Sequence, residues 1–176
     1  MQTKPSLNAT TAAVVLQVET NVQRNGVLNA MSNADLALLQ PHLEAVPLKF
    51  RQRLQSSNRS IRDVYFPDSG IASVVAVAGN ERRQAEVAII GREGMSGLAV
   101  VHGADRSPCD VFMQVEGTGH RITAQKLQET IDQSITLLRC LLRYAHRLRD
   151  TSPLYCLGQR ARQYRRKTGP LAAYGP

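Results

Sequence analysis

The chain has no tryptophan, only three cysteines and no long apolar run among its 176 residues. Cys109, Cys140 and Cys156 are far apart, which argues against a disulfide framework or a C-x-x-C zinc site and favours a reducing, cytoplasmic setting. No stretch reaches the roughly 18 apolar residues that a membrane span needs. The first twenty residues also lack the basic region and apolar core of a secretory signal, so we expect no membrane association.

The positive charge is concentrated at one end. The formal net charge is +8, and the last thirty residues alone hold seven basic residues and one acidic residue. The remaining chain carries 15 basic and 13 acidic residues, so its body is nearly neutral. The high charge is therefore no evidence that the folded body binds nucleic acid.

The hydrophobic pattern divides the chain into four segments. We expect an N-terminal extension at 1–23, a β-rich domain at 24–123, two helices at 124–148 and a basic tail at 149–176. Short β-rich runs separated by turn residues are typical of a barrel or jelly roll. The sequence thus predicts a mainly β fold with α-helices: an antiparallel double-stranded β-helix (jelly roll) with N-terminal helices and a C-terminal dimerisation helix.

A glycine-rich run interrupts the strands at residues 91–97 and leads into a short apolar helix at about 98–103. The free N–H groups at a helix start suit an anion. Arg106 and Ser107, in the loop that follows, add a charged fork and a hydroxyl. The candidate phosphate site is Gly94, Met95, Ser96, Gly97, Arg106 and Ser107.

The second C-terminal helix, expected at about 134–146, has an apolar stripe close to the a/d seam of a coiled coil. The stripe indicates a homodimer, and the alternative is that it only covers the barrel. Its residues are Leu138, Leu141, Leu142 and Ala145.

Three motifs carry a family resemblance: VYFPDSG at 64–70, VAIIGREGM at 87–95 and HGADRS at 102–107. Over about residues 26–146 the chain resembles the effector domain of the Crp/Fnr family of bacterial transcription regulators. The resemblance implies a cyclic-nucleotide-binding-like jelly roll and a long helix that pairs in a parallel dimer. It also implies a winged helix-turn-helix domain that reads DNA.

In members that bind cyclic AMP, the short helix and its loops hold the phosphate, and an Arg-Ser pair contacts its oxygens. Arg106 and Ser107 match that pair. Those members place a ribose-binding Glu ten residues before the Arg, where this chain has Ser96; the nearest carboxylate is Glu93. A cyclic nucleotide or another small anionic effector is therefore a possible ligand, and no cofactor is certain. If the missing carboxylate excludes cyclic AMP, Ser96→Glu is expected to introduce binding.

The tail has neither the length nor the apolar pattern of a winged helix-turn-helix. A back-translation of residues 156–175, read one base later, spells a helix-forming peptide resembling the start of the family's DNA-binding domain. We therefore expect a truncated or frameshifted regulator that keeps effector sensing and dimerisation and lacks specific DNA binding. The alternative is a stand-alone jelly-roll ligand-binding or interaction module acting by heterodimerisation.

An enzymatic function is not expected. A metal-dependent enzyme on a similar barrel needs a cluster of His and carboxylate ligands. The four histidines are far apart in sequence and form no H-x-H pair. We therefore predict no catalytic residue and no metal site.

Overall fold

The computed structural model describes residues 25–78 and 83–151. The predicted N-terminal extension at 1–23, and the tail beyond residue 151, lie outside the described residues. The strands are β1 Glu44–Leu48, β2 Arg53–Gln55, β3 Asp63–Pro67, β4 Ile71–Ala78, β5 Arg83–Ile90, β6 Cys109–Val115 and β7 Gly117–Thr123. The α-helices are α1 Gly26–Asn29, α2 Asn33–Leu39, α3 Leu98–Val101, α4 Ala124–Gln133 and α5 Ile135–Thr151, with a 3₁₀ turn at Gln40–His42.

The strands form two antiparallel sheets. The three-stranded sheet has the order β1-β7-β3, and the four-stranded sheet has the order β2-β6-β4-β5. Most neighbours within each sheet are far apart along the chain, as in a jelly roll, and every pairing is antiparallel. The predicted fold class is confirmed.

Strand β7 begins at Gly117, although two glycines within residues 117–119 would be expected to interrupt a strand. The two glycines of this run lie where the chain packs closely. A Cβ on Gly119 would stand 2.6 Å from the carbonyl oxygen of Phe66, and one on Gly117 would overlap the backbone of Ser69. Glycine is thus required by the close approach of neighbouring backbone and does not end the strand.

The core has two parts, one on each face of the three-stranded sheet. In β3, Val64 and Phe66 pack against the helices, while Tyr65 packs toward the four-stranded sheet. Alternate residues of a strand point to opposite faces, so one short strand serves both clusters. The molecule therefore has three layers: helices, the three-stranded sheet and the four-stranded sheet. Of the described helices, none is long and apolar enough to cross a membrane.

The two C-terminal helices begin at side-chain caps. The Thr123 hydroxyl accepts the N–H of Lys126 at the start of α4, and the Ser134 hydroxyl accepts the N–H of Leu137 at the start of α5. These bonds satisfy backbone donors that a helix start leaves free. Helix α5 continues to Thr151, so the boundary predicted between helix and tail at residue 149 is corrected by three residues.

The predicted dimerisation stripe divides between the inside and the outside of the chain. Leu141 and Ala145 are buried in the chain's own core, and Leu138 is partly buried against it. Leu142 is 38% exposed. The prediction that Leu141 and Ala145 face a partner is therefore corrected, because the chain's own residues already bury them. Dimerisation itself stays a prediction.

A buried carboxylate joins α2 to the start of α5. Asp35 accepts hydrogen bonds from the hydroxyls of Ser134 at 2.5 Å, Ser32 at 2.7 Å and Thr136 at 2.8 Å. Burial alone would raise the pKa of Asp35, but these hydrogen bonds outweigh it, so the pKa lies below its ordinary value of 3.8. The ionised form is therefore the one that holds the helices together.

We expect Asp35→Asn to destabilise the protein by about 2 kcal/mol at pH 7, because the hydroxyls lose a charged acceptor. A carboxyl whose pKa is depressed on folding adds stability above its unfolded pKa and loses it as pH falls through the folded value. The difference between wild type and variant should therefore shrink below about pH 4. Urea unfolding at several pH values measures it. Asp132→Asn, at an exposed carboxylate, is the control, and a pH-independent difference would contradict the assignment.

Candidate functional site

The glycine-rich residues 91–97, which we name the junction loop, are fixed from one side by Asn25. This side chain is completely buried. Its Nδ2 donates to the carbonyl oxygens of Pro67 at 2.7 Å and Gly94 at 2.8 Å. Its Oδ1 accepts the N–H groups of Val27 at 3.0 Å and Leu28 at 3.2 Å, which caps α1. Asn25 therefore connects α1, the end of β3 and the junction loop.

Strand β3 holds the loop at a second point. The N–H of Ser96 donates to the carbonyl of Tyr65, and the Ser96 hydroxyl accepts the N–H of Tyr65, both at 2.9 Å. The next residue, Gly97, has a φ of +71°. A Cβ there would stand 2.6 Å from Cγ2 of Val64. The loop thus turns tightly against β3, and glycine is needed both for the backbone angle and for the space.

Helix α5 makes the third contact. The Tyr144 hydroxyl accepts the N–H of Met95 at 3.1 Å. A Cβ on Gly94 would lie 2.5 Å from the same hydroxyl oxygen, so glycine lets the tyrosine approach the loop. The junction loop therefore contacts α1, β3 and α5 at once.

Arg106 and Ser107 lie on a different support. The carbonyl oxygen of Asp105 accepts the N–H of Ile61 at 2.8 Å, and the carbonyl oxygen of Ser107 accepts the N–H of Asn58 at 2.7 Å. These bonds fix the backbone of the loop to the segment that precedes β3. The Arg106 side chain is 65% exposed, and its Nε lies 3.3 Å from a carboxylate oxygen of Asp105. The Ser107 hydroxyl accepts the N–H of Cys109 at 3.2 Å.

The predicted phosphate site is thus placed on two segments that helix α3 connects. Among the described residues, no hydrogen bond joins Gly94–Gly97 to Arg106 or Ser107. The Met95 side chain is fully buried in the helix-side core, so the prediction of a ligand contact for it is corrected. Arg106 is the charged member of the set, and its side chain is open to an anion.

Ser96 also differs from the expectation. It is 2% exposed, and its hydroxyl is occupied by the backbone of β3. A glutamate there would break that hydrogen bond and bury a carboxylate. We therefore expect Ser96→Glu to disturb the loop and not to introduce cyclic AMP binding. The Glu93 carboxylate accepts the N–H of Gly91 at 3.1 Å and closes the loop's own turn.

Sequence reasoning missed a polar group on the inner face of the three-stranded sheet. Arg121 of β7 lies opposite Glu44 of β1 and Tyr65 of β3, and it donates to Glu44 at 2.5 Å. Burial, followed by the nearby Asp63 charge, raises the pKa of Tyr65, while Arg121 acts in the opposite direction. No local pattern signals this group, since its members lie on three separate strands.

Asn25 and Tyr144 were also missed as site residues. An asparagine before Gly26 could have been recognised as a helix cap. Nothing in the sequence indicates that its amide reaches the junction loop, or that the tyrosine does so from α5.

No protein-family model and no curated protein matches this sequence. Solved structures do match. The N-terminal domain of a transcriptional regulator from Streptomyces coelicolor is 19% identical, with a TM-score of 0.54 over 76% of this chain and 95% of that one. The sensor domain of the transcriptional regulator DNR from Pseudomonas aeruginosa is 14% identical, with a TM-score of 0.55 over 93% and 99%.

A third match is to a regulatory subunit of a cAMP-independent protein kinase A from Trypanosoma brucei, as a mutant bound to cAMP. It is 13% identical, with a TM-score of 0.63 over 86% of this chain and 53% of that chain. The chain spans about half the length of such kinase subunits. At these identities the matches show the fold: that of cyclic-nucleotide-binding domains, including those of transcription regulators.

Proposed function

We propose that this chain is the effector-sensing domain of a Crp/Fnr-type transcription regulator. The observation that carries the proposal is the junction loop, which is bonded to β3 and to the C-terminal helix through Tyr65 and Tyr144. A ligand that shifts this loop has to shift α5 or break these bonds. The solved sensor domain of DNR and the other regulator domain of the same fold support such a role.

The effector we propose is a small anion, with a cyclic nucleotide as the first candidate. Arg106 offers a guanidinium that is mostly exposed and bonded only to the equally exposed Asp105. An exposed pair of this kind is worth little, so a bidentate phosphate can replace it. Because position 96 is a serine and not a carboxylate, the contact to a nucleotide's ribose is left unassigned.

We expect one compound in a panel of cyclic AMP, cyclic GMP and cyclic di-GMP to stabilise the protein by about 2.7 kcal/mol at a hundred times its Kd. Arg106→Ala should weaken that binding by about tenfold or more, because a charge-assisted bond is lost. Ser107→Ala should cost less, since its hydroxyl already serves Cys109. Thermal shift and calorimetry measure both.

Arg62→Ala is the matched control, because Arg62 is an exposed arginine outside both segments of the candidate site. If Arg106→Ala and Arg62→Ala bind the compound with equal affinity, the anion binds at another site. If none of the three compounds shifts the melting temperature, cyclic nucleotides are excluded as effectors.

A second role is an interaction module that pairs with another protein through α5. The observation that favours it is the outward face of this helix, where Ile135 is 60% and Leu142 38% exposed. A second copy of the chain is the partner that the sequence pattern predicts. Sequence-specific DNA binding is not part of either proposal, because the sequence beyond residue 151 lacks the apolar pattern of a winged helix-turn-helix and its basic residues are expected to attract phosphates through charge.

A further inference from the structure

The turn between β1 and β2, which we name the β1–β2 turn, consists of residues 49–52. The carbonyl oxygen of Lys49 accepts the N–H of Gln52 at 2.9 Å, and the N–H of Lys49 donates to Oε1 of Gln52 at 2.8 Å. Strand β6 holds the turn from the side. The N–H of Arg51 donates to the carbonyl oxygen of Met113, and the N–H of Met113 donates to that of Gln52, both at 2.9 Å. Four hydrogen bonds therefore fix this turn.

Arg51 has a backbone conformation that suits glycine. Its φ is +61°. A four-residue turn with a positive φ at its third residue favours glycine or asparagine there, because the Cβ of other residues is crowded in this conformation. Among the described residues, the other non-glycine residue with a positive φ is Asn58, and asparagine tolerates this region. The arginine is thus held against its conformational preference, as residues at functional positions often are.

The β1–β2 turn presents an aromatic ring beside basic groups. Phe50 is 57% exposed, and the guanidinium carbon of Arg51 lies 5.2 Å from the centre of its ring, so each side chain orients the other. Lys49 and Arg51 are exposed and form no salt bridge within the part of the chain that the structure describes. Arg53, by contrast, lies 3.7 Å from a carboxylate oxygen of Asp110. The turn therefore has an apolar anchor and positive charge that no carboxylate of the fold neutralises.

We propose that the β1–β2 turn binds an acidic segment of another protein, whose apolar side chains cover Phe50 and whose carboxylates pair with Arg51 and Lys49. Aromatic residues and arginine are enriched at protein interfaces, and a turn that is already rigid loses little conformational entropy on binding. The planar guanidinium suits a carboxylate. A glycine at position 51 would give the turn its backbone but not this contact. Binding at this turn is independent of the effector and of α5.

Nucleic acid and a lipid surface fit the β1–β2 turn less well. Proteins that bind single strands have a basic groove that follows the phosphate backbone, whereas this turn is a compact tip with Lys49 and Arg51 as its unpaired cations. Stable attachment to a membrane takes a larger apolar face or a polybasic patch. A protein partner can use so small a group, because a few well-packed anchors carry most of the binding energy of an interface.

A peptide selection with the full chain tests the proposal. Random peptides displayed on phage are bound to the wild-type protein, after those that bind the Phe50→Ser/Arg51→Gly double variant have been removed. This step also removes ligands of the basic tail, which both proteins carry. We expect the remaining peptides to contain Asp or Glu next to apolar residues. Replacing their acids by Asn and Gln should weaken binding by about tenfold or more in fluorescence anisotropy.

Single variants locate the contact. Phe50→Ser and Arg51→Gly should each raise the Kd of the selected peptides by about tenfold or more. Two matched controls should leave it unchanged: Ile89→Ser, at an apolar side chain that is 51% exposed, and Arg62→Gly, at an exposed arginine.

The melting temperature tests the strain at Arg51 separately. Arg51→Gly should raise it by about 2 °C or more, because glycine adopts the positive φ without steric cost. Arg62→Gly makes the same change where φ is not positive, so it should lower the melting temperature through the added freedom of the unfolded chain. A rise for Arg51→Gly also shows that its loss of binding is not a loss of structure.

Four results would contradict the proposal. If no peptide survives the counter-selection, the β1–β2 turn is not a binding surface. If the Asn and Gln analogues bind as tightly as the acidic peptides, carboxylates are not recognised. A lower melting temperature for Arg51→Gly would mean that the arginine stabilises the turn. Binding of a single-stranded oligonucleotide or of phosphatidylserine vesicles that the double variant loses would assign the turn to nucleic acid or lipid.

Discussion

Leu141→Lys is expected to unfold the protein. The Leu141 side chain has no exposed area and lies in the helix-side core cluster. Removing a buried leucine costs about 2–5 kcal/mol, and an ammonium group without a partner adds a further penalty in this apolar site. The expected loss exceeds about 4 kcal/mol, a large part of the 5–15 kcal/mol that usually stabilises a domain. Circular dichroism and urea unfolding measure it.

Leu142→Lys is the matched control, since it makes the same change one residue further on. Leu142 is 38% exposed, so the lysine can extend into water. We expect its stability to stay within about 1 kcal/mol of wild type. If instead Leu141→Lys were folded and Leu142→Lys were not, α5 would have the opposite face toward the core.

The orientation of α5 is a feature that the sequence could not supply. The helix has leucines at 137, 138, 141 and 142, which form two adjacent apolar stripes. Either stripe could have faced the barrel, and the pattern alone indicates only that the helix is amphipathic. The structure buries Leu137 and Leu141 and leaves Leu142 at the surface. The predicted dimer seam contained residues of both stripes for this reason.

Local signals did predict most elements. Ser32 and Asp35 mark the start of α2 by cap chemistry, and the structure has that cap. The β-branched runs that become β3, β4, β5 and β6 are separated by turn residues, which is the pattern that predicts short strands. Strand β2, only three residues long, has no such signal. Its pairing with β6 comes from the packing of the barrel and not from local preference.

The candidate site shows the same limit at longer range. The glycines of the junction loop indicate a turn and a close approach, but not what approaches. The groups that do so are distant in sequence: Asn25 is 69 residues from Gly94, and Tyr144 is 49 residues from Met95. Sequence therefore located the loop and Arg106, while the contacts that decide which backbone and side-chain groups are free depend on the whole fold.

Asn25→Ala is expected to destabilise the protein by about 3 kcal/mol or more. The wild-type amide makes four hydrogen bonds in a fully buried position. Losing an asparagine cap costs about 0.5–2 kcal/mol by itself. The carbonyls of Pro67 and Gly94 also lose their donor, and a buried polar group left unpaired costs about 1–3 kcal/mol. Urea unfolding measures the loss, and Asn29→Ala, at an exposed asparagine of the same helix, should change stability little.

Asn25→Asp separates the two functions of this side chain. The carboxylate keeps the cap, because it accepts from Val27 and Leu28, but it cannot donate to Pro67 or Gly94 and brings negative charge against their carbonyl oxygens. We expect it to be at least as destabilising as Asn25→Ala at pH 7 and to recover part of the loss as the pH falls and the carboxyl gains a proton that it can donate. A variant as stable as wild type at pH 7 would show that the two bonds to the carbonyls contribute nothing, and that the junction loop is held by Tyr65 and Tyr144 alone.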